Sequence, residues 1–235
     1  MPTESGDLLY GYADSILHGT LITLQVGLGS LAVAVALGLL VAAGRLSRGR
    51  LLAWTATAFT TLMRSGPDFV WLLFLYYGGQ TALNLITQHY GMPQVEINSF
   101  VASVIVLGVI YSAYLAETFR GAFLAVDKGQ AESAQAYGFS RLQTFFHIVF
   151  PQMMRFALPG IGNNWLVMLK ATAITSMVSL NELIFLSRAA GKATGHSLEL
   201  LLVAALIYLL LSTVSVLALR LLAARYAAGS KEITL

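Results

Sequence analysis

The sequence contains no cysteine, which excludes disulfides and thiolate metal sites and leaves the redox compartment unreadable. Charge is scarce too: 11% of the 235 residues are Asp, Glu, Lys or Arg, against roughly 25% in a soluble domain. The phosphate-cradling pattern G-x-x-x-x-G-K-[ST] is missing, since Gly191-Lys192 has Leu186 in place of the first glycine and Ala193 in place of the hydroxyl. No G-x-S-x-G element occurs. His18, His89, His147 and His196 stand far apart with no ligand spacing, which speaks against a metal site. These absences exclude a soluble enzyme, a secreted disulfide scaffold and a self-contained ATPase.

What is present is apolar. Hydrophobic residues make up 57% of the chain and the mean hydropathy is +0.74. About 20 helical residues cross a ~30 Å hydrocarbon core, and the run from Ser15 to Gly44 exceeds that without one charged side chain. It is too long for a signal-peptide core and no Lys or Arg precedes it, so it reads as a retained helix. Four more spans are predicted: near residues 57 to 83 with a bend at Gly66-Pro67, Ile97 to Phe119, Phe156 to Leu183, and Ser197 to Leu219. The apolar runs are continuous rather than alternating, so a strand barrel is excluded. The fold expected is an all-α integral membrane protein with about five transmembrane helices, forming one domain over residues 1–235.

Five spans put the termini on opposite sides. With the N-terminus outside, the inner face holds Arg45, Arg48, Arg50, Arg120, Lys128, Arg141, Arg155, Arg220, Arg225 and Lys231, and the outer face only Arg188 and Lys192. The segment Met1 to Asp14 carries acids and no Lys or Arg. The positive-inside rule therefore sets N-out, C-in.

The inner segment from about 125 to 155 is the most informative. Val126 to Phe139 reads as a short helix in which Glu132 suits the dipole of the first turns. Ala131, Ser133, Ala134 and Ala136 are small enough for a second protein to approach the backbone. Gly138 suits a left-handed cap. Ser140-x-x-Gln143 reads as a capping box opening a second helix, Arg141 to Phe150, which Pro151 interrupts. From composition alone, a solvated helical hairpin linking two spans accounts for this stretch equally well.

The spacing of Glu132-Ser133-Ala134, Gly138 and Ile148-Val149-Phe150-Pro151 resembles the E-A-A, x3, G, x9, I-x-L-P signature of bacterial ABC importer permeases. Ser133 and Phe150 depart from its alanine and leucine. Arg64-Ser65-Gly66-Pro67 is similar to the R-G-x-P element of the polar amino acid subfamily. Glu117 to Ala122, Lys128 to Gln130 and Leu158 to Trp165 look like permeases for histidine, or for lysine, arginine and ornithine. Asp127 replaces the proline common before the lysine, a change that loosens the helix start.

The resemblance implies a type I ABC importer permease in the bacterial inner membrane. Its partners would be two copies of an ATP-binding subunit, a second permease subunit, similar or identical, and a periplasmic solute-binding protein. ATP and Mg²⁺ would belong to the ATPase, with no cofactor on this chain and no nucleic-acid partner. The coupling residues implied are Glu132, Ser133, Ala134, Gly138, Ile148 and Pro151. An ion-gradient-driven carrier is the alternative, as is glutamine or glutamate as substrate; the lack of an inverted repeat counts against the carrier.

Charges inside apolar spans are costly and point to a pair or a pathway. Arg64 and Asp68 are spaced as a local ion pair across the bend, and Glu117 and Arg120 likewise near the inner surface. Lys170 has no near charged partner in sequence and is expected to face a cavity, a partner subunit or a lipid headgroup. Glu182 is expected at the outer mouth, where a carboxylate would attract a cationic amino group. Asn163, Asn164, Thr172, Thr175 and Ser176 either glue helices together or line a polar path.

Overall fold

A computed structural model describes residues 8–227 as helices joined by short turns, with no strand among the described residues. The acids Glu4 and Asp7 and the inner cation Lys231, used above for orientation, lie outside the described residues. After a turn at Leu8–Gly11 come α1 (Ala13–Arg45), α2 (Arg50–Ser65), α3 (Asp68–His89), α4 (Ser99–Leu124) and α5 (Lys128–Ala136). Next, α6 (Arg141–Thr144) passes through a π turn at Phe145–Val149 into α7 (Phe150–Ala171). A 3-10 stretch at Thr172–Val178, α8 (Leu183–Thr194) and α9 (Ser197–Ala227) complete the order.

Four helices, α1, α3, α4 and α9, are each long and apolar enough to cross a membrane. A fifth candidate is the bent pair Arg141–Val178 and Leu183–Thr194, which together meet the same length and composition as one span broken by 55°. The bend expected inside one span over 57 to 83 is a full break between two helices, and the second crossing is α3 alone. Gly66 is extended at φ −115°, ψ 164°, and Pro67 offers no N–H, so the α2 hydrogen-bond ladder stops and a new one starts at Asp68.

Pro151, by contrast, does not interrupt its helix. The preceding π turn carries the Phe150 N–H to the Phe145 carbonyl, and Pro151 then falls in the first positions of α7, where its missing N–H costs nothing.

The core is built on α1 against α4. Thr23, Ser30, Ala34, Gly38 and Ala42 form a buried stripe of small residues along α1. Gly29 faces Val104, and Gly38 faces Ser112 and Leu115, so the two helices run in the same direction. A Cβ on Gly38 would lie 3.0 Å from the Leu115 Cβ and 3.2 Å from the Ser112 carbonyl oxygen. In lipid, helices are not driven together by water, so such close backbone approach supplies the dispersion contact instead. A smaller cluster of Ile16, Leu183, Ala190, Leu200 and Ala204 ties the start of α1 to α8 and α9.

Candidate functional site

The inner hairpin is held at every terminus. Asp127, far from loosening α5, caps it: its carboxylate accepts the Gly129 N–H at 2.6 Å. At the other end Gly138 is left-handed, with φ +88°. The Phe139 N–H reaches back to the Ala134 carbonyl at 3.1 Å, and the Gly138 N–H to that of Gln135 at 3.0 Å. Ser140 and Gln143 form the expected reciprocal capping box on α6.

Only Ala134 of α5 is buried. Glu132, Ser133, Gln135 and Ala136 point outward, Tyr137 is 87% exposed, and a Cβ on Gly138 would meet open space. Ile148 is half-buried and Val149 buried behind α5, where Phe123, Leu124 and Val149 border an apolar cavity of about 240 Å³. The result is a short helix, capped at both ends, that offers Glu132, Ser133, Gln135, Ala136 and Tyr137 to the inner side. Pro151 belongs to the α6–α7 scaffold behind it.

The membrane charges assemble differently from their sequence neighbours. Arg64 does not pair with Asp68. It reaches Glu117 on α4 at 3.3 Å, and its guanidinium lies 5.5 Å from the centre of the Tyr114 ring. Arg120 meets the same carboxylate at 3.1 Å, as its spacing predicts, and Arg45 at the end of α1 bonds it as well. Arg45 also donates to the Thr60 hydroxyl at 3.3 Å. One carboxylate thus gathers three arginines from three helices, a charge-assisted knot at the inner end of the bundle. Asp68 instead accepts the Tyr111 hydroxyl at 2.8 Å. The Arg45 and Tyr111 contacts span 72 and 43 residues, so no local spacing rule could find them.

Glu182 is fully buried and does not open to an outer mouth. It caps α8, accepting the Ile184 and Phe185 N–H groups at 2.9 and 2.7 Å, and the Tyr208 hydroxyl of α9 lies 3.4 Å away. The break after Val178 leaves these α8 donors unpaired, and the carboxylate that satisfies them is taken up in doing so. Thr172 and Thr175 are buried and bond backward to their own turns, with Thr172 3.2 Å from the Tyr208 hydroxyl. Asn164 donates to Thr118 at 3.2 Å, joining α7 to α4. These are the helix-binding members of the polar set. Lys170 and Asn163 differ: both are exposed on α7, and Lys170 has no carboxylate partner among the described residues.

The outer end has its own ties, absent from the sequence reasoning. Tyr10 stacks on His196 at 4.2 Å and bonds Glu199, which also lies 3.1 Å from His196. They fasten the start of the described chain to the head of α9.

Four apolar spans with a fifth, broken one, an end knotted by charge and a capped helix projecting from that end define a multi-pass membrane permease. Residues 34–228 match the family model for the inner membrane component of binding-protein-dependent transport systems, and the chain belongs to that family. It is accordingly a component of an inner membrane, and its family implies an ATPase partner and a binding protein. The chain is 47% identical over 228 residues to the histidine/lysine/arginine/ornithine transport system permease protein HisQ of Salmonella typhimurium, covering 97% of this chain and 100% of that one. It is 35% identical to the arginine ABC transporter permease protein ArtQ of Escherichia coli, covering 83% of this chain and 87% of ArtQ. Among solved structures, an amino acid ABC transporter crystallised with histidines matches with TM-score 0.77 and 28% identity, over 91% of this chain and 95% of that one. The MetNI methionine transporter, at 14% identity and TM-score 0.67 over 94% of this chain and 99% of that one, shares the fold.

Proposed function

We propose that this chain is the permease subunit of an ATP-driven importer of basic amino acids, of the histidine, lysine, arginine and ornithine group. The observation that carries the coupling role is α5, a helix capped at both ends that turns Glu132, Ser133, Gln135, Ala136 and Tyr137 outward. Such a helix seats in a groove of an ATPase as a rigid lever, and closure of the motor tilts α4 and α7 through it. Glu132, Ser133, Ala134 and Gly138 form the lever, and Ile148 and Pro151 its footing. The substrate class is supported by the 47% identity to HisQ over nearly the whole chain.

The working unit in this reading contains two ATPase subunits, which hold the ATP and Mg²⁺, and a second permease subunit, similar or identical to this one. All 235 residues act as one permease domain. The exposed side of α7, with Asn163, Val167 and Lys170, is the side turned toward the second permease and the solute path. The test is reconstitution in lipid vesicles with the co-purified ATPase and binding protein. ATP hydrolysis stimulated by binding protein loaded with histidine, lysine or arginine is the expected result. Stimulation by glutamine or glutamate alone would overturn the substrate class, and uptake without any ATPase would overturn the importer.

A further inference from the structure

Helix α2 is 16 residues long, about 24 Å, and falls short of a span. It packs against the inner end of α1. A Cβ on Gly44 would lie 3.6 Å from Leu52 and 3.3 Å from Ala56, while the next residue, Arg45, already reaches Thr60. Leu52 and Ala56, one turn of α2 apart, both pack on Gly44, and the long Arg45 side chain spans the further turn to Thr60. At the far end Arg64 meets Glu117, the carboxylate that Arg45 also holds, so α2 is tied to the inner end of the bundle at both of its ends.

At 3.6 residues per turn, α2 has three faces. Ala56, Thr60 and Met63 are buried against the bundle. Leu51, Ala58 and Leu62 form an exposed, mainly apolar stripe that also holds Thr55, with Leu51 76% and Leu62 53% exposed. Arg50, Thr57, Thr61 and Arg64 form an exposed polar stripe. Trp54, 69% exposed, falls on the seam between the two stripes, where an indole suits the boundary between acyl chains and headgroups. Four arginines and no acid occur from Arg45 to Pro67. Arg45 and Arg64 are engaged by Glu117; Arg48 and Arg50 are exposed and have no carboxylate partner among the described residues.

We propose that α2 lies in the plane of the inner leaflet, its apolar stripe among the acyl chains, and that Arg48 and Arg50 bind the phosphate of an anionic phospholipid headgroup. The geometry is that of an amphipathic interfacial helix, and the charge complements anionic lipid. A docking ATPase would have to cover the leucines as well as the arginines, and α5, the helix built for that contact, lies elsewhere on the chain. The proposal needs the membrane, not the transport cycle.

The test uses the full-length chain, with its partners where they co-purify, carrying Trp54 alone through W71F and W165F. In phosphatidylcholine vesicles, a bromine label near the headgroup end of the acyl chain quenches Trp54 more strongly than one near the chain terminus. Labelled phosphatidylglycerol quenches beyond its share of the lipid, and each of R48Q and R50Q reduces that preference by about fivefold. Inorganic phosphate does not compete. Stronger quenching from the bilayer centre, no quenching by lipid, or a preference unchanged in R48Q/R50Q overturns the proposal, and competition by inorganic phosphate reassigns the arginines to a soluble anion. Should the single-tryptophan chain fail to fold, native mass spectrometry decides. Wild type retains phosphatidylglycerol in micelles and R48Q/R50Q loses it; equal retention counts against the site.

Discussion

Glu117 is the residue on which the inner end of the molecule turns. It faces three guanidinium groups, of which Arg45 is mostly buried and Arg64 the most exposed. Glu117→Gln would leave those cations around a neutral amide, and hydrogen bonds to charged groups contribute about 1.5–3 kcal/mol. We expect a loss of about 2 kcal/mol on unfolding in mixed micelles. Asp68→Asn removes only the charge that receives the Tyr111 hydroxyl and costs about half as much. Equal losses in the two variants would mean that the knot does not anchor α2. Arg64 and Asp68 show why spacing misled: their i,i+4 offset has meaning only on a continuous helix, and Gly66-Pro67 breaks it between them.

At the scale of the element, α5 depends on its caps more than on burial, because a helix of nine residues with one buried side chain is marginal by itself. Gly138 has a φ of +88°, and a side chain there costs roughly 1–2 kcal/mol although space is free around it. Gly138→Ala should therefore insert normally into the membrane yet lose solute-stimulated ATP hydrolysis, as should Gly138→Asp. Gly138→Asn, which tolerates the left-handed region, should keep more of it. Full stimulation in the alanine variant would take α5 out of the coupling role. Two of the hairpin's three caps could be anticipated because they are local, a glycine after the helix and a serine three residues before a glutamine; Asp127 is as local, but its departure from proline hid its role as a cap. The π turn before Pro151 could not be anticipated, because it depends on how the following span sits against α4 and α5.

At the scale of the whole molecule, the association of α1 with α4 sets the frame to which the other helices attach. Gly38→Leu would drive a side chain into the Ser112 carbonyl and the Leu115 Cβ, with both backbones in the way. Overpacking of this kind costs about 1–3 kcal/mol or more, and we expect a lower melting midpoint in detergent and a reduced yield of folded chain. An unchanged midpoint would show that the two helices can slide apart without cost.

Composition and order along the chain determined the class of this protein. Long charge-free runs must lie in lipid, most of the arginines and lysines stay inside, and a fixed spacing of Glu132, Gly138 and Pro151 marks the inner hairpin. These properties are local or additive, so one dimension suffices to read them. Which carboxylate each arginine meets, the burial of Glu182 under Tyr208, and the tie of α2 to the end of α1 were decided only in three dimensions. The reason is physical: in a low-dielectric bundle a charge takes the partner that folding brings within reach, and that partner lies on another helix.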